Sequence, residues 1–148
     1  MIVEDALEAL KKRIITCDAC VLRESCTAPV PGCGSIGAKY MIIGEAPGRE
    51  EDHVGFPFVG KSGQRLDKLL EVGHIDIADC YLTNVCRCRP PKNRTPKKKE
   101  IGACNGFLME EIRVVNPTYI ITLGAVPLSL FSSYGISQMH GTMFEVEV

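Results

Sequence analysis

The sequence predicts an α/β domain: a mostly parallel sheet covered by helices. Three observations carry this. Short β-rich apolar runs, "KYMIIGEAPG", "CYLTNVCR" and "TYIITLG", alternate with stretches of helical periodicity. Apolar residues make up 45% of 148 positions, enough for a packed core. No internal repeat or linker interrupts the chain, so residues 1–148 read as a single domain.

In order, Val3, Ala6, Leu7, Leu10 and Ile14 share one helical face, and acids precede bases, which suits the helix dipole over 3–15. The stretch "TCDACVLRESCTAPVPGCGSIG" is broken by prolines and glycines and reads as a structured loop. A buried strand follows in 39–48, then a long Gly-punctuated loop, "GREEDHVGFPFVGKSG". Ser62 is expected to cap the next helix, which buries Leu66, Leu69 and Leu70 and ends near Gly73. A second strand is expected over 80–87. Thr95 and Pro96 supply a cap and first position for a helix near 96–115. A third strand over 118–124, a short helix over 125–132 and an extended "TMFEVEV" complete the chain. Ligands of such sheets bind beyond the carboxyl ends of the strands, here "GEAPG", "TNVCR" and "TLGA".

Net charge is −1, so bulk charge calls for no polyanionic partner. The charge is nevertheless uneven: seven basic residues and no acid lie between Arg87 and Lys99. No apolar run approaches the ~20 residues of a membrane span. The N-terminus, acids first, is the reverse of a secretory signal, so a cytoplasmic protein without membrane attachment is expected. Eight cysteines in that compartment favour a metal over disulfides. Cys17 and Cys20 form a chelating pair at the end of a helix, not at the strand-to-helix turn of a redox motif. Cys80 reads as core. Cys86 and Cys88 alternate at a strand end and should point to opposite faces. The second half of a four-thiolate set must come from among Cys26, Cys33, Cys80, Cys86, Cys88 and Cys104, and the loop between Cys88 and Cys104, on the helix beyond, could bring those two onto one centre. Such a set holds either Zn²⁺ or an iron–sulfur cluster.

"GEAPG" (44–48), "ED" (51–52), "GFPFVGKSGQRLDKLL" (55–70), "YLTNVCRCRPPKNRTP" (81–96) and "ITLGA" (121–125) together resemble the family 4, iron–sulfur uracil-DNA glycosylases. The resemblance runs in order through essentially the whole chain. It implies a three-layer α/β/α sandwich and a monomeric DNA-repair hydrolase that cuts the N-glycosidic bond of uracil flipped out of DNA. It implies a [4Fe-4S] cluster on Cys17, Cys20, Cys88 and Cys104, with Zn as the alternative. Phe58 falls on the aromatic that stacks on uracil, and Asn84 on the amide that reads its polar edge. Glu45, with Gly44, Ala46, Pro47 and Gly48, falls on the motif that lines the pocket and places the attacking water. Glu51 and Asp52 match an acidic supporting position.

These roles are chemically coherent. A base must leave the duplex before its glycosidic bond can be reached. A flat apolar ring then receives it. A carboxamide can donate to uracil O4 and accept from N3–H, the reverse of what cytosine presents. Each residue alone has a plainer reading: Phe58 as core filler, Asn84 as a turn former, Glu45 as a turn cap. In the basic run, Arg89, Lys92, Arg94 and Lys97 are expected to face DNA phosphates, pinned by the metal centre. Lys97–Lys99 oppose the dipole of the helix they open, which an anionic partner would offset.

The resemblance also implies a His-Pro-Ser loop after the last core strand. This sequence reaches Val148 without it, and His140 is followed by Gly141. It is therefore expected to be truncated before that motif and to lack the last core strand. Two further readings follow from that difference: an iron–sulfur protein that binds uracil or DNA with little or no catalysis, and a zinc-stapled α/β protein of unrelated chemistry.

Overall fold

A computed structural model describes residues 2–148. Helix α1 spans Val3–Ile15 and α2 spans Leu22–Ser25. Strands β1 (Cys33–Gly34) and β2 (Tyr40–Gly44) precede helices α3 (Arg49–Val54) and α4 (Lys61–Val72). Strand β3 is Cys80–Asn84, α5 is Lys98–Val115 and β4 is Tyr119–Thr122. Two short helices, α6 (Ala125–Leu128) and α7 (Ile136–Met139), follow. The sheet order is β1-β3-β2-β4; β2 runs parallel to β3 and β4, and β1 is antiparallel to β3.

Alternation along the strands sorts the core into two layers. Met41, Ile43 and Tyr81 pack with Leu7 of α1 and Leu108, Ile112 and Val115 of α5. On the opposite face, Ile42 and Cys80 pack with Leu66 and Leu70 of α4. The result is helices, sheet, helix, with the carboxyl ends of β2, β3 and β4 at one edge. No helix among the described residues is long and apolar enough to cross a membrane.

Several boundaries differ from expectation. Gly60, not Ser62, is the N-cap of α4, and Leu69 is exposed, because the buried stripe runs through Gly63, Leu66 and Leu70. Helix α5 starts at Lys98, after Lys97 rather than Thr95; the Lys97 N–H donates to Glu100 Oε2 at 2.7 Å and fixes that start. Strand β3 ends at Asn84, so strand alternation does not reach Cys86 and Cys88. Both are buried, and both border one cavity. Residues 49–54, expected as loop, are helical. The last residues, expected as an extended piece, carry no helix or strand.

Inside the α5 layer lies a buried ion pair. Arg87 Nη2 stands 2.8 Å from Glu111 Oε2, with both side chains almost fully buried. Glu111 also accepts from Thr83 Oγ1 (2.7 Å), Tyr81 Oη (3.2 Å) and the Gly32 N–H (3.1 Å). Arg87 Nη1 donates to Thr83 Oγ1. The carboxylate of the pair is thus well satisfied, which offsets part of its desolvation, whereas the buried Arg87 Nε has no hydrogen-bond partner. Arg87 is therefore no part of the exposed basic surface.

Candidate base pocket and thiol cavity

Beyond the carboxyl ends of the strands lies a cavity of about 330 Å³, within the usual size of a small-ligand site. Gly44 closes β2 at its floor. A Cβ there would stand 2.6 Å from Asn84 Oδ1 and 2.7 Å from Phe58 Cζ. The amide and the ring therefore converge on one point that only a glycine leaves open.

Phe58 is held in an unusual backbone state, with φ +56°, a conformation few side chains adopt. Two contacts impose it. Glu51 Oε2 accepts the N–H groups of Val59 (3.0 Å) and Gly60 (2.6 Å), while Oε1 accepts the Gly48 N–H (3.1 Å). One carboxylate thus ties the "GEAPG" loop to the Phe58 loop. Gly63 of α4 packs against the Phe58 backbone so closely that a Cβ would lie 1.8 Å from its carbonyl oxygen.

Asn84 ends β3, and two further backbone bonds hold the segments that leave the strands together: the Val85 N–H donates to Gly44 O (2.9 Å) and the Cys86 N–H to Glu45 O (3.0 Å). This fixes Glu45 beside Asn84. Burial pushes the Glu45 carboxyl up from its ordinary value. Arg94 is the single cation among the residues lining this cavity, which also include Glu45 and Glu51.

The other cavity is lined by Cys17, Cys20, Cys86, Cys88 and Cys104, with Glu100 in its wall. Cys104 is lowered to about 6, first by a hydrogen bond from Cys86, then by the Arg87 charge and the Arg87 N–H, which lies 3.3 Å from Cys104 Sγ. Cys20 is raised mainly by burial. Cys88 is raised by burial and by its neighbour Cys26. Among the described residues no three Cys, His, Asp or Glu close on a point suited to a single metal ion.

The uracil DNA glycosylase superfamily model matches residues 31–146. A type-4 uracil-DNA glycosylase of Thermotoga maritima is 43% identical over 86% of this chain and 67% of its own length. One from Archaeoglobus fulgidus is 36% identical over 97% of this chain and 75% of its own. One from Sulfurisphaera tokodaii is 42% identical over 81% of this chain and 55% of its own.

The chain belongs to the type-4 uracil-DNA glycosylase family.

Within this glycosylase the expected site residues divide clearly. Gly44, Glu45, Ala46, Pro47, Gly48, Phe58 and Asn84 all line the base pocket. Glu51 lines it as well, but its oxygens are occupied by backbone donors, and so is the Gly48 N–H. Asp52 lies outside the pocket lining; it accepts the Thr27 N–H and Oγ1, both at 2.8 Å, and ties α3 to the cysteine loop. Arg89 bonds Asn93 at 2.7 Å, Lys92 and Lys97 are exposed, and Arg94 alone of the four expected DNA contacts lines the pocket. Leu123 also lines it, and so do Ser62, Pro90 and Asn93, which were not foreseen as site residues. The rule of strand carboxyl ends pointed to Leu123. Nothing in the sequence marked Asn93, which reaches the pocket through a left-handed turn at Lys92 and Asn93. Cys26 and Cys86 stand beside the expected ligands, and spacing alone gave no sign of it.

Proposed function

We propose that this chain hydrolyses the N-glycosidic bond of uracil extruded from DNA, releasing uracil and leaving an abasic site for base excision repair. The observation that carries the reading is the convergence of Phe58 and Asn84 on Gly44 inside one cavity. Phe58 takes the flat face of the base after it leaves its stack. Asn84 donates to O4 and accepts from N3–H, so cytosine would leave both buried groups unpaired. Water adds to C1′ as the C1′–N1 bond breaks. The bonding pair leaves with uracil, and Glu45 takes the proton of the attacking water. Glu51 acts by positioning, since its lone pairs are already engaged by the two loops it joins.

The thiols fit a sulfur-ligated cluster. Cys17, Cys20, Cys88 and Cys104 would hold a [4Fe-4S] group. The donor set is soft, the thiols ring a cavity without closing on one point, and an N–H already donates to Cys104 Sγ. The cluster supplies cross-linking of the cysteine loop to α5, and binding it displaces the protons that burial favours on Cys20 and Cys88. Arg89, Lys92, Arg94 and Lys97 then meet DNA phosphates. The protein works as a monomer in the cytoplasm.

A single-uracil oligonucleotide assay tests the reading. Alkali-labile product is expected from the uracil strand and none from the matching cytosine strand. DNA binding with no product at high protein concentration would favour a binding protein instead. A colourless preparation containing zinc and no iron would overturn the cluster.

A further inference from the structure

Glu100 lines the thiol cavity and is hydrogen-bonded to Arg94, which lines the base pocket. Its side chain is only 3% exposed and forms part of the thiol-cavity wall. Both oxygens are engaged: Oε1 accepts Arg94 Nη2 at 2.7 Å, while Oε2 accepts Arg94 Nη1 at 2.9 Å and the Lys97 N–H at 2.7 Å. Arg94 Nη1 also donates to Thr95 O at 3.1 Å. The Nε–H and one Nη2–H of the guanidinium are outside these bonds. Arg94 is 34% exposed and brings the single positive charge to a pocket bordered by Glu45 and Glu51. An extruded nucleotide carries phosphate on both sides of its sugar, and a planar guanidinium with spare donors matches that group.

We propose that Glu100 is a positioning residue: it anchors Arg94 so that the remaining donors grip the phosphate beside the extruded nucleotide, and so joins the thiol cavity to the base pocket. The proposal rests on the glycosylase reading. Without the anchor, a long side chain would have to be ordered at each binding event. With it, that ordering is completed when the protein folds. Anything that disturbs the thiol cavity would then reach the DNA contact through one carboxylate.

The test is a double-mutant cycle on the full chain, with iron and acid-labile sulfide measured for every variant. Binding is followed by anisotropy on an oligonucleotide carrying one 2′-fluoro-deoxyuridine, which resists cleavage, over a series of salt concentrations. Arg94→Gln should keep its iron, bind about tenfold more weakly and lose about one unit of salt slope. Glu100→Gln should keep its iron and bind weaker in the same direction, and adding it to Arg94→Gln should cost nothing more. Additive losses, or Glu100→Gln binding like the unmodified chain, would overturn the anchoring. If Glu100→Gln sheds iron, Arg94→Lys carries the test. Lysine keeps the charge but cannot span both carboxylate oxygens, so it should retain the salt slope and lose affinity; affinity equal to arginine overturns the proposal. An unmodified chain that neither binds nor cleaves uracil DNA defeats the glycosylase reading itself, whereas normal excision with additive variants defeats only the anchor.

Discussion

Two glutamates border the base pocket and are put to different use. Both oxygens of Glu51 accept backbone N–H groups, three in all. Glu45 is partly desolvated, and burial raises its carboxyl above the ordinary value. Glu45→Gln should lower kcat by about 10²–10⁴-fold. A base must be ionised, so activity is lost as pH falls through its pKa. With that pKa raised, the acid limb of kcat/KM should begin at a higher pH than for an ordinary carboxylate of about 4.3. A limb unchanged in Glu45→Gln would remove Glu45 from the base role. Phe58→Ala should leave iron content intact and weaken binding of uracil DNA by about 1–3 kcal/mol, the usual worth of one base–aromatic stack. Equal weakening on a strand without uracil would show that the ring does not receive the base.

At the scale of elements, the loops matter more than the helices they join. Glu51→Ala would strand the N–H groups of Gly48, Val59 and Gly60. Their amide exchange should accelerate and kcat/KM fall, with the iron unaffected; unchanged exchange at Val59 and Gly60 would contradict this role. The start of α5 is pH-sensitive. Arg94, and then the Lys97 N–H, hold Glu100 below the usual carboxylate range. That stabilisation is complete above the unfolded value of about 4.3 and disappears as pH falls through the lower folded value. The melting-temperature deficit of Glu100→Gln should therefore be largest near pH 7 and shrink below pH 4. The sequence revealed the periodic parts of these elements: α1 by its apolar stripe, β2 and β4 by their β-branched runs, α5 by Ile101, Cys104, Leu108 and Ile112. It did not reveal what non-local partners decide. Helix α3 is polar, and its carboxylates reach Thr27 and the Phe58 loop. The α5 boundary moved because Glu100 captured Lys97. The site residues were legible through long motifs, whereas Asn93 and Cys86 take their places from turns that carry no periodic signal.

For the whole molecule, the α5 layer is stitched by the buried Arg87–Glu111 network, and the proposed cluster on the neighbouring thiols would add a second stitch. The first stitch explains why a residue of the basic run lies in the core. Glu111→Ala leaves a buried guanidinium unpaired and should cost about 3–5 kcal/mol in urea denaturation. Replacing both partners, as in Arg87→Met with Glu111→Leu, should recover most of that loss; if the double variant is as unstable as the single, the pair itself is not the cause. Cys88→Ser should reduce iron content and thermal stability together, because its loss frees the cysteine loop from the segment before α5.

Gly63 carries a lesson for anyone who would engineer this protein. Alanine is the stronger helix former by about 1 kcal/mol, so a search for thermal gains would single out this position in α4. The added methyl would collide with the carbonyl of Phe58 and displace the left-handed backbone that carries the ring into the pocket. The helix gives up intrinsic propensity at one site so that a neighbouring loop can stay bent, and an alanine made there should forfeit that gain to the clash.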